Sequence, residues 1–322
     1  MKKVIFTYKD ISTYRSELMG WAILWIMMLH FTFNQIKPLG FIAQYGYAGV
    51  DIFMMVSGFG LFLSLEKDDN ISKFYRKRLL RIFPTYYFIG VFSCLFLNHT
   101  SLQDFIFRYS TIGFWTGELY ADWYIPSIIA LYFLTPFFKY LFHPKRFYFL
   151  IIIAGGTLIA AYYLINREDL LDRAHFFFLY RISAFIFGMT CAYWLKNNIP
   201  SKYFVTILLL GILIFVCLYP HHHDIYNYKY FSVLFLLPTF SLSLIYLSKT
   251  IQFLNPLIVC IGNASLEIYL IQGLVFEAIL QGKIIIPSMW HDAFTILLII
   301  ISSLFGITTH WMIKKSGILH IS

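Results

Sequence analysis

Charged residues make up only 13% of these 322 residues, against about 25% in an ordinary soluble domain. So few charges cannot cover a water-facing surface, which excludes a soluble enzyme, a disordered chain and a coiled coil. Cysteine is also scarce. The four, Cys94, Cys191, Cys217 and Cys260, all fall in apolar runs without metal-ligand spacing, and they read as small buried hydrophobes. There is no GxGxxG, no phosphate-binding glycine loop, no HExxH and no GxSxG, so none of the motif-borne nucleotide, zinc or serine chemistries is indicated. No Gly/Ser-rich or Pro-rich linker divides the chain, which predicts a single membrane domain over 1–322 with no soluble appendage. The first 15 residues are polar and basic, and no small-residue cleavage site follows the first apolar run. The N-terminus therefore does not read as a cleavable signal peptide.

What the chain has in excess is apolar and aromatic surface. Hydrophobic residues reach 59%, with 35 Phe and 24 Tyr. Lipid must be the solvent for much of this chain, and a bilayer admits only helix bundles or closed barrels. The apolar runs are about 18–25 residues long and do not alternate, so the fold class is all-α, a polytopic integral membrane helix bundle. Ten spans are expected, at roughly 17–35, 47–65, 79–98, 123–142, 147–165, 176–195, 203–220, 230–248, 256–280 and 292–313. Segment 101–121, with Phe105, Phe107, Trp115 and Tyr120 among polar residues, reads as a loop with an interfacial stretch.

The formal net charge of +9 invites a nucleic-acid reading, but the basic residues sit in short loops between apolar runs. With an even number of spans both termini share one side. The N-terminus, 66–81, 139–146, 196–202, Lys249 and Lys314–Lys315 together hold 18 of the 25 Lys and Arg. The remaining seven are Lys37, Arg108, Arg167, Arg173, Arg181, Lys229 and Lys283. That asymmetry predicts cytoplasmic termini, a membrane-lipid environment and no nucleic-acid partner.

Ionisable groups inside spans are costly, and each is a functional candidate. His30 lies one or two turns from the outer end of the first span and Asp51 starts the second, at similar depth. Asp51 could accept the His30 N–H and fix its tautomer; it could equally be a first-turn acid, and His30 a helix-packing residue. Arg78 and Arg81 lie three apart on one helix face, in a run of four cations with Arg76 and Lys77. Such a pair suits a phosphate, or serves as a positive-inside anchor. Arg181, inside Phe176–Gly188, needs a partner or an aqueous cavity. Ser265, Glu267 and Tyr269 form a polar stripe that would line a cavity or bond between helices. His221–His223 are adjacent, and neighbouring side chains do not converge, so no metal site is expected. His310 and Glu277 carry no assignment.

Four blocks together resemble the membrane acyltransferase family 3, the multi-span bacterial acyltransferases. They are the first span ending in His30-Phe31; Gly49-Val-Asp-Ile-Phe-Met-Met-Val-Ser57-Gly-Phe59; Arg78-Leu-Leu-Arg81-Ile-Phe-Pro84; and Gly262-Asn-Ala-Ser-Leu-Glu-Ile-Tyr-Leu-Ile271. Trp123-Tyr-Ile-Pro with Tyr132 and Pro136, and Arg181-Ile-Ser-Ala-Phe-Ile-Phe-Gly188, are weaker blocks. The resemblance implies acyl transfer, most often of acetyl from acetyl-CoA, to hydroxyls of surface polysaccharides or lipid-linked precursors at a bacterial cytoplasmic membrane. It implies that His30 is the essential first-span histidine and that Arg78 and Arg81 contact the CoA donor. Asp51 falls in a matching block, and Ser57, Trp123, Arg181, Ser265, Glu267 and Tyr269, in or beside the matching blocks, are expected to line the substrate cavity. Three positions depart from the common pattern. Met19 stands where many members have Arg or Lys, with Arg15 one turn earlier; Gln272 stands where many have His; and Ile128 stands where peptidoglycan-acylating members often have Glu.

The implied mechanism places CoA phosphates on Arg78 and Arg81, assisted by Arg15 or Lys77. Arg15 to His30 is about 22 Å of helix, on the order of an extended pantetheine arm. His30, oriented by Asp51, would act as general base or carry the acyl group itself. A transporter or flippase is the rival reading, although no sequence repeat relates the halves. A catalytically degenerate member is the third, motivated by Met19.

Overall fold

The computed structural model describes residues 6–97, 101–118, 121–164, 169–219, 231 and 233–316. Among them there is no strand. The helices are α1 (Tyr8–Thr13), α2 (Arg15–Phe31), α3 (Lys37–Ala43), α4 (Ala48–Lys67), α5 (Ile71–Leu97), α6 (Leu102–Tyr109), α7 (Ile112–Trp115) and α8 (Tyr124–Leu141). They continue as α9 (Phe147–Leu164), α10 (Leu170–Lys196), α11 (Lys202–Leu218), α12 (Leu237–Thr250), α13 (Asn255–Asn263), α14 (Ser265–Leu280) and α15 (His291–Lys315).

The all-α membrane architecture holds, but the structure differs from ten uninterrupted spans. Six helices are long and apolar enough to cross a bilayer: α4, α5, α8, α9, α10 from Asp172, and α15. A seventh results if Leu237–Thr250 and Gln252–Asn263, bent by 91°, form one span. The expected span 256–280 is two helices, α13 and α14, parted where Ala264 leaves helical geometry (φ −95°, ψ 11°). The two halves have different partners. α13 lies against α2, so close that a Cβ at Gly262 would overlap the Ser16 carbonyl, while α14 packs chiefly on α15. One straight helix could not follow both neighbours.

The central helix pair is α4 with α10. A Cβ on Gly58 would strike the Phe185 carbonyl, and one on Gly188 would strike that of Met55. Small residues at a crossing bring backbones together where the hydrophobic effect gives no drive. Around this core the outer helices show apolar faces. In α9 only Leu150 and Ala161 are buried, and Tyr163, Ile151 and Ile159 project outward. An apolar helix so exposed belongs in lipid.

Segment 101–121 is more than an interfacial loop. It forms α6 and α7 and folds back against α5 and α10, burying Arg108, Tyr109, Gly113 and Phe114. Arg108 draws it inward, because it finds carboxylates inside the bundle.

Candidate active site

α2 and α4 run antiparallel, with Gly60 beside the Arg15 guanidinium and Gly49 beside Ala22 and Ile26. The start of α5 brings Arg78 and Arg81 to the same end. There the helices enclose a cavity of about 270 Å3, lined by Arg15, Arg78, Arg81, Ser57, Ser265 and Tyr269, together with Met19, Phe53, Tyr124, Ile128 and Tyr132. Six residues singled out from sequence thus meet in one place. Met19 and Arg15 are one helical turn apart, and both line the cavity. The guanidinium of Arg15 therefore reaches the volume that a cation at position 19 would serve.

Two of the three guanidinium groups have identified partners. Arg81 donates to Glu267 at 2.7 Å, and Glu267 also lies 3.3 Å from His310. Arg78 donates to the Ser64 hydroxyl at 2.8 Å, while its Nε, buried, has no protein acceptor. Arg15 lies near enough to Arg78 for the two charges to repel. Among the described residues Glu267, fully buried, is the carboxylate paired with this arginine group. Lys77 is exposed and does not line the cavity; it projects from a different face of α5. Arg78, placed four residues after Phe74, rests its guanidinium over that ring at 5.5 Å.

Along the cavity wall the Tyr269 hydroxyl donates to the Ala121 carbonyl at 2.9 Å and accepts from the Tyr124 backbone N–H at 3.4 Å. Ser57 and Tyr124 line the same wall. One turn further along α14, Oε1 of Gln272 lies 2.7 Å from Nδ1 of His30. His30 also stacks on Phe276, with ring centroids 4.6 Å apart and 17° between planes. The chain beyond His30 is held firmly. Thr32 adopts a positive φ of 58°, a strained state for a β-branched residue. The backbone N–H groups of Asn34, Gln35 and Ile36 all donate to the Asp292 carboxylate, at 2.8, 3.0 and 2.6 Å. Thr295 donates to the Phe31 carbonyl at 3.1 Å.

The structure does not join Asp51 to His30. Asp51 is fully buried and forms an ion pair with Arg181. A buried guanidinium demands an ionised partner more strongly than a neutral imidazole does. Arg181 is enclosed further by the rings of Tyr180, at 4.6 Å, and Trp123, at 5.7 Å. Trp123, placed by sequence in the substrate cavity, stacks instead on Phe177 at 4.7 Å. These residues tie α4, α8 and α10 together behind the cavity.

A second charged cluster lies beyond His30. Arg108 on α6 donates to both oxygens of Glu277, at 3.0 and 2.7 Å, and stands 3.6 Å from Asp122. Tyr86 donates to Asp122 at 2.7 Å. Burial alone would push the Arg108 guanidinium down; the two carboxylates outweigh it and push it up. Asp122, Asp292 and Phe276 were not legible as site residues, since an isolated acid or phenylalanine carries no spacing signal. Asp292 does stand in the first turn of its helix, where an acid marks a helix start and can also cap a neighbouring chain. Among the described residues no group of three or more His, Cys, Asp or Glu converges to hold a metal; His221–His223 lie outside them. A larger groove of about 500 Å3, lined by Trp21, Trp25 and Phe240 among others, is almost wholly apolar and holds no titratable group.

These features can be set beside known proteins. The chain is 25% identical, over 204 residues, to a protein of Acidianus two-tailed virus named "Putative acetyltransferase ORF330". The match covers 57% of this chain and 58% of that relative, so the chain spans little more than half the length of the curated relative it matches. No solved structure matches it. The match to the acyltransferase domain family runs from residue 18 to residue 312, and takes in His30, the arginine pair and the α14 stripe. By that extent the chain belongs to the acyltransferase domain family.

Proposed function

We propose that this acyltransferase-family protein moves an acyl group, most simply acetyl, from acyl-CoA to a hydroxyl of a cell-surface polysaccharide or its lipid-linked precursor. The observation that carries the reading is the convergence of Arg15, Arg78 and Arg81 on one cavity whose described lining includes no carboxylate, with Glu267 pairing Arg81 from outside that lining. Such a site has positive charge to spare for an anionic ligand, and guanidinium groups match phosphate geometry. The CoA phosphates bind there. The Tyr124, Tyr132 and Tyr269 rings flank the thioester arm as it runs beside α2 toward His30, about 22 Å from Arg15 along the helix.

His30 takes the proton of the acceptor hydroxyl as its oxygen attacks the thioester carbonyl. The tetrahedral intermediate collapses, the carbon–sulfur bond breaks, and the proton on His30 passes to the departing thiolate. The Arg15 end faces the cytoplasm in this reading, in a bacterial cytoplasmic membrane. Ten segments cross, the shorter helices and the α13–α14 pair among them; the basic-residue asymmetry supports that orientation.

Purified protein in lipid nanodiscs, given radiolabelled acetyl-CoA and extracted lipid-linked glycan, tests the reading. The wild type should transfer label, and His30→Ala should lose about 10²–10⁴-fold in rate at an unchanged protein level. Full transfer by His30→Ala would remove His30 from the chemistry. Absence of acetyl-CoA binding would remove the donor assignment.

A further inference from the structure

The imidazole of His30 is gripped by one helix. Gln272 and Phe276 are one turn apart on α14; the first reaches Nδ1 at 2.7 Å and the second stacks on the ring face. Gln272 is fully buried, so no water competes for its amide. Its Nε2 has no hydrogen-bond partner in the protein, which leaves the imidazole as the amide's one contact. The carboxylate nearest in sequence expectation, Asp51, is held by Arg181. α14 is itself anchored on either side of Gln272, by Tyr269 on the Ala121 carbonyl and by Glu277 on Arg108.

Resting on the reading of His30 as general base, we propose that Gln272 is the positioning residue of this reaction. Its Oε1 accepts the Nδ1–H of His30, fixes the neutral tautomer with the lone pair on Nε2, and turns that nitrogen toward the acceptor hydroxyl. The tautomer of a histidine is set by what its other nitrogen bonds. A carboxamide does this without placing a further charge at membrane depth, where an unpaired carboxylate would be costly. Phe276 limits rotation of the ring about its own axis, so tautomer and orientation are fixed from the same helix.

The proposal is tested on ¹⁵N-histidine-labelled protein in nanodiscs, with His30→Asn identifying the His30 signal. The expected wild-type spectrum shows His30 protonated on Nδ1. Gln272→Leu should move the proton wholly or partly to Nε2 and lower kcat about a hundredfold, with the KM for acetyl-CoA unchanged. Gln272→Glu, which keeps an acceptor at the same reach, should restore the Nδ1–H signal and part of kcat. A wild-type His30 protonated on Nε2 would overturn the proposal alone, whatever the Gln272 variants do. So would a Gln272→Leu protein with unaltered kcat, or one whose loss follows only a fall in folded protein. Full transfer by His30→Asn would instead overturn the general-base reading, and the proposal with it.

Discussion

At the Arg15 end of the bundle three guanidinium groups share one cavity, and among the described residues one of them, Arg81, pairs with a carboxylate, Glu267. At the opposite end two carboxylates, Asp122 and Glu277, both face the guanidinium of Arg108. The second cluster encloses almost no space, and its members are bonded to one another and to Tyr86. The first encloses about 270 Å3 and leaves positive charge in excess. Charge of both kinds is expensive here, so the contrast separates two uses of it. Mutually bonded groups around almost no cavity hold α6 against α14 and α5. Clustered cations around a cavity have the chemistry to hold an anion. Between the two ends, Asp51 with Arg181 is matched and buried, and belongs with the structural kind.

The contrast breaks most sharply at Arg181. Arg181→Met should destabilise the protein by about 3–5 kcal/mol, because it leaves Asp51 buried and unpaired. The thermal midpoint in detergent should fall steeply, and Asp51→Asn added to it should recover part of the loss. If Arg181→Met melts with the wild type, the pair is not holding α4 to α10. Arg108→Met should follow the same pattern, somewhat less severely because Tyr86 still serves Asp122. Its acetyl-CoA affinity should be unaltered, and a selective loss of affinity would move Arg108 into the site.

Arg15→Ala with Arg78→Ala should do the reverse. Donor affinity should fall at least tenfold, about 1.4 kcal/mol or more, since charge-assisted bonds are each worth about 1.5–3 kcal/mol. Calorimetric titration of acetyl-CoA reads it. The thermal midpoint should hold or rise, because two repelling charges are gone. A lower midpoint with unchanged affinity would make these arginines anchors. Arg81→Ala sits between the kinds and should lose both affinity and stability, because Glu267 is left buried with only His310 beside it. Lys77→Ala should give the smallest effect, within about twofold in affinity and vanishing in high salt, as expected of an exposed cation outside the cavity.

Much of this was readable along the chain. Arg15, Arg78, Arg81, Ser57, Ser265 and Tyr269 all met in one cavity, because helical spacing puts residues three or four apart on one face and apolar runs announce which segments are helices. Arg181 reads from sequence as an arginine that needs a partner or an aqueous cavity. The partner itself was not readable. Depth along antiparallel helices set Asp51 beside His30 on paper, but rotation about the helix axes decides which neighbour a side chain meets. Gln272 was visible only as a departure from a pattern; that it touches His30 follows from how α14 leans on α2. The split of 256–280 into α13 and α14 was hidden for a related reason. Hydrophobicity reports that a segment is in lipid, not whether its two halves follow the same neighbour.

The sequence by itself determined the solvent, the helical class and the inventory of intramembrane charges, because transfer of each residue from water to lipid is a local quantity that sums along the chain. The tertiary structure alone decided which charges are matched. Pairing depends on which faces two helices present at their crossing, and close approaches such as Gly58 on α10 and Gly262 on α2 set those faces between segments far apart in sequence.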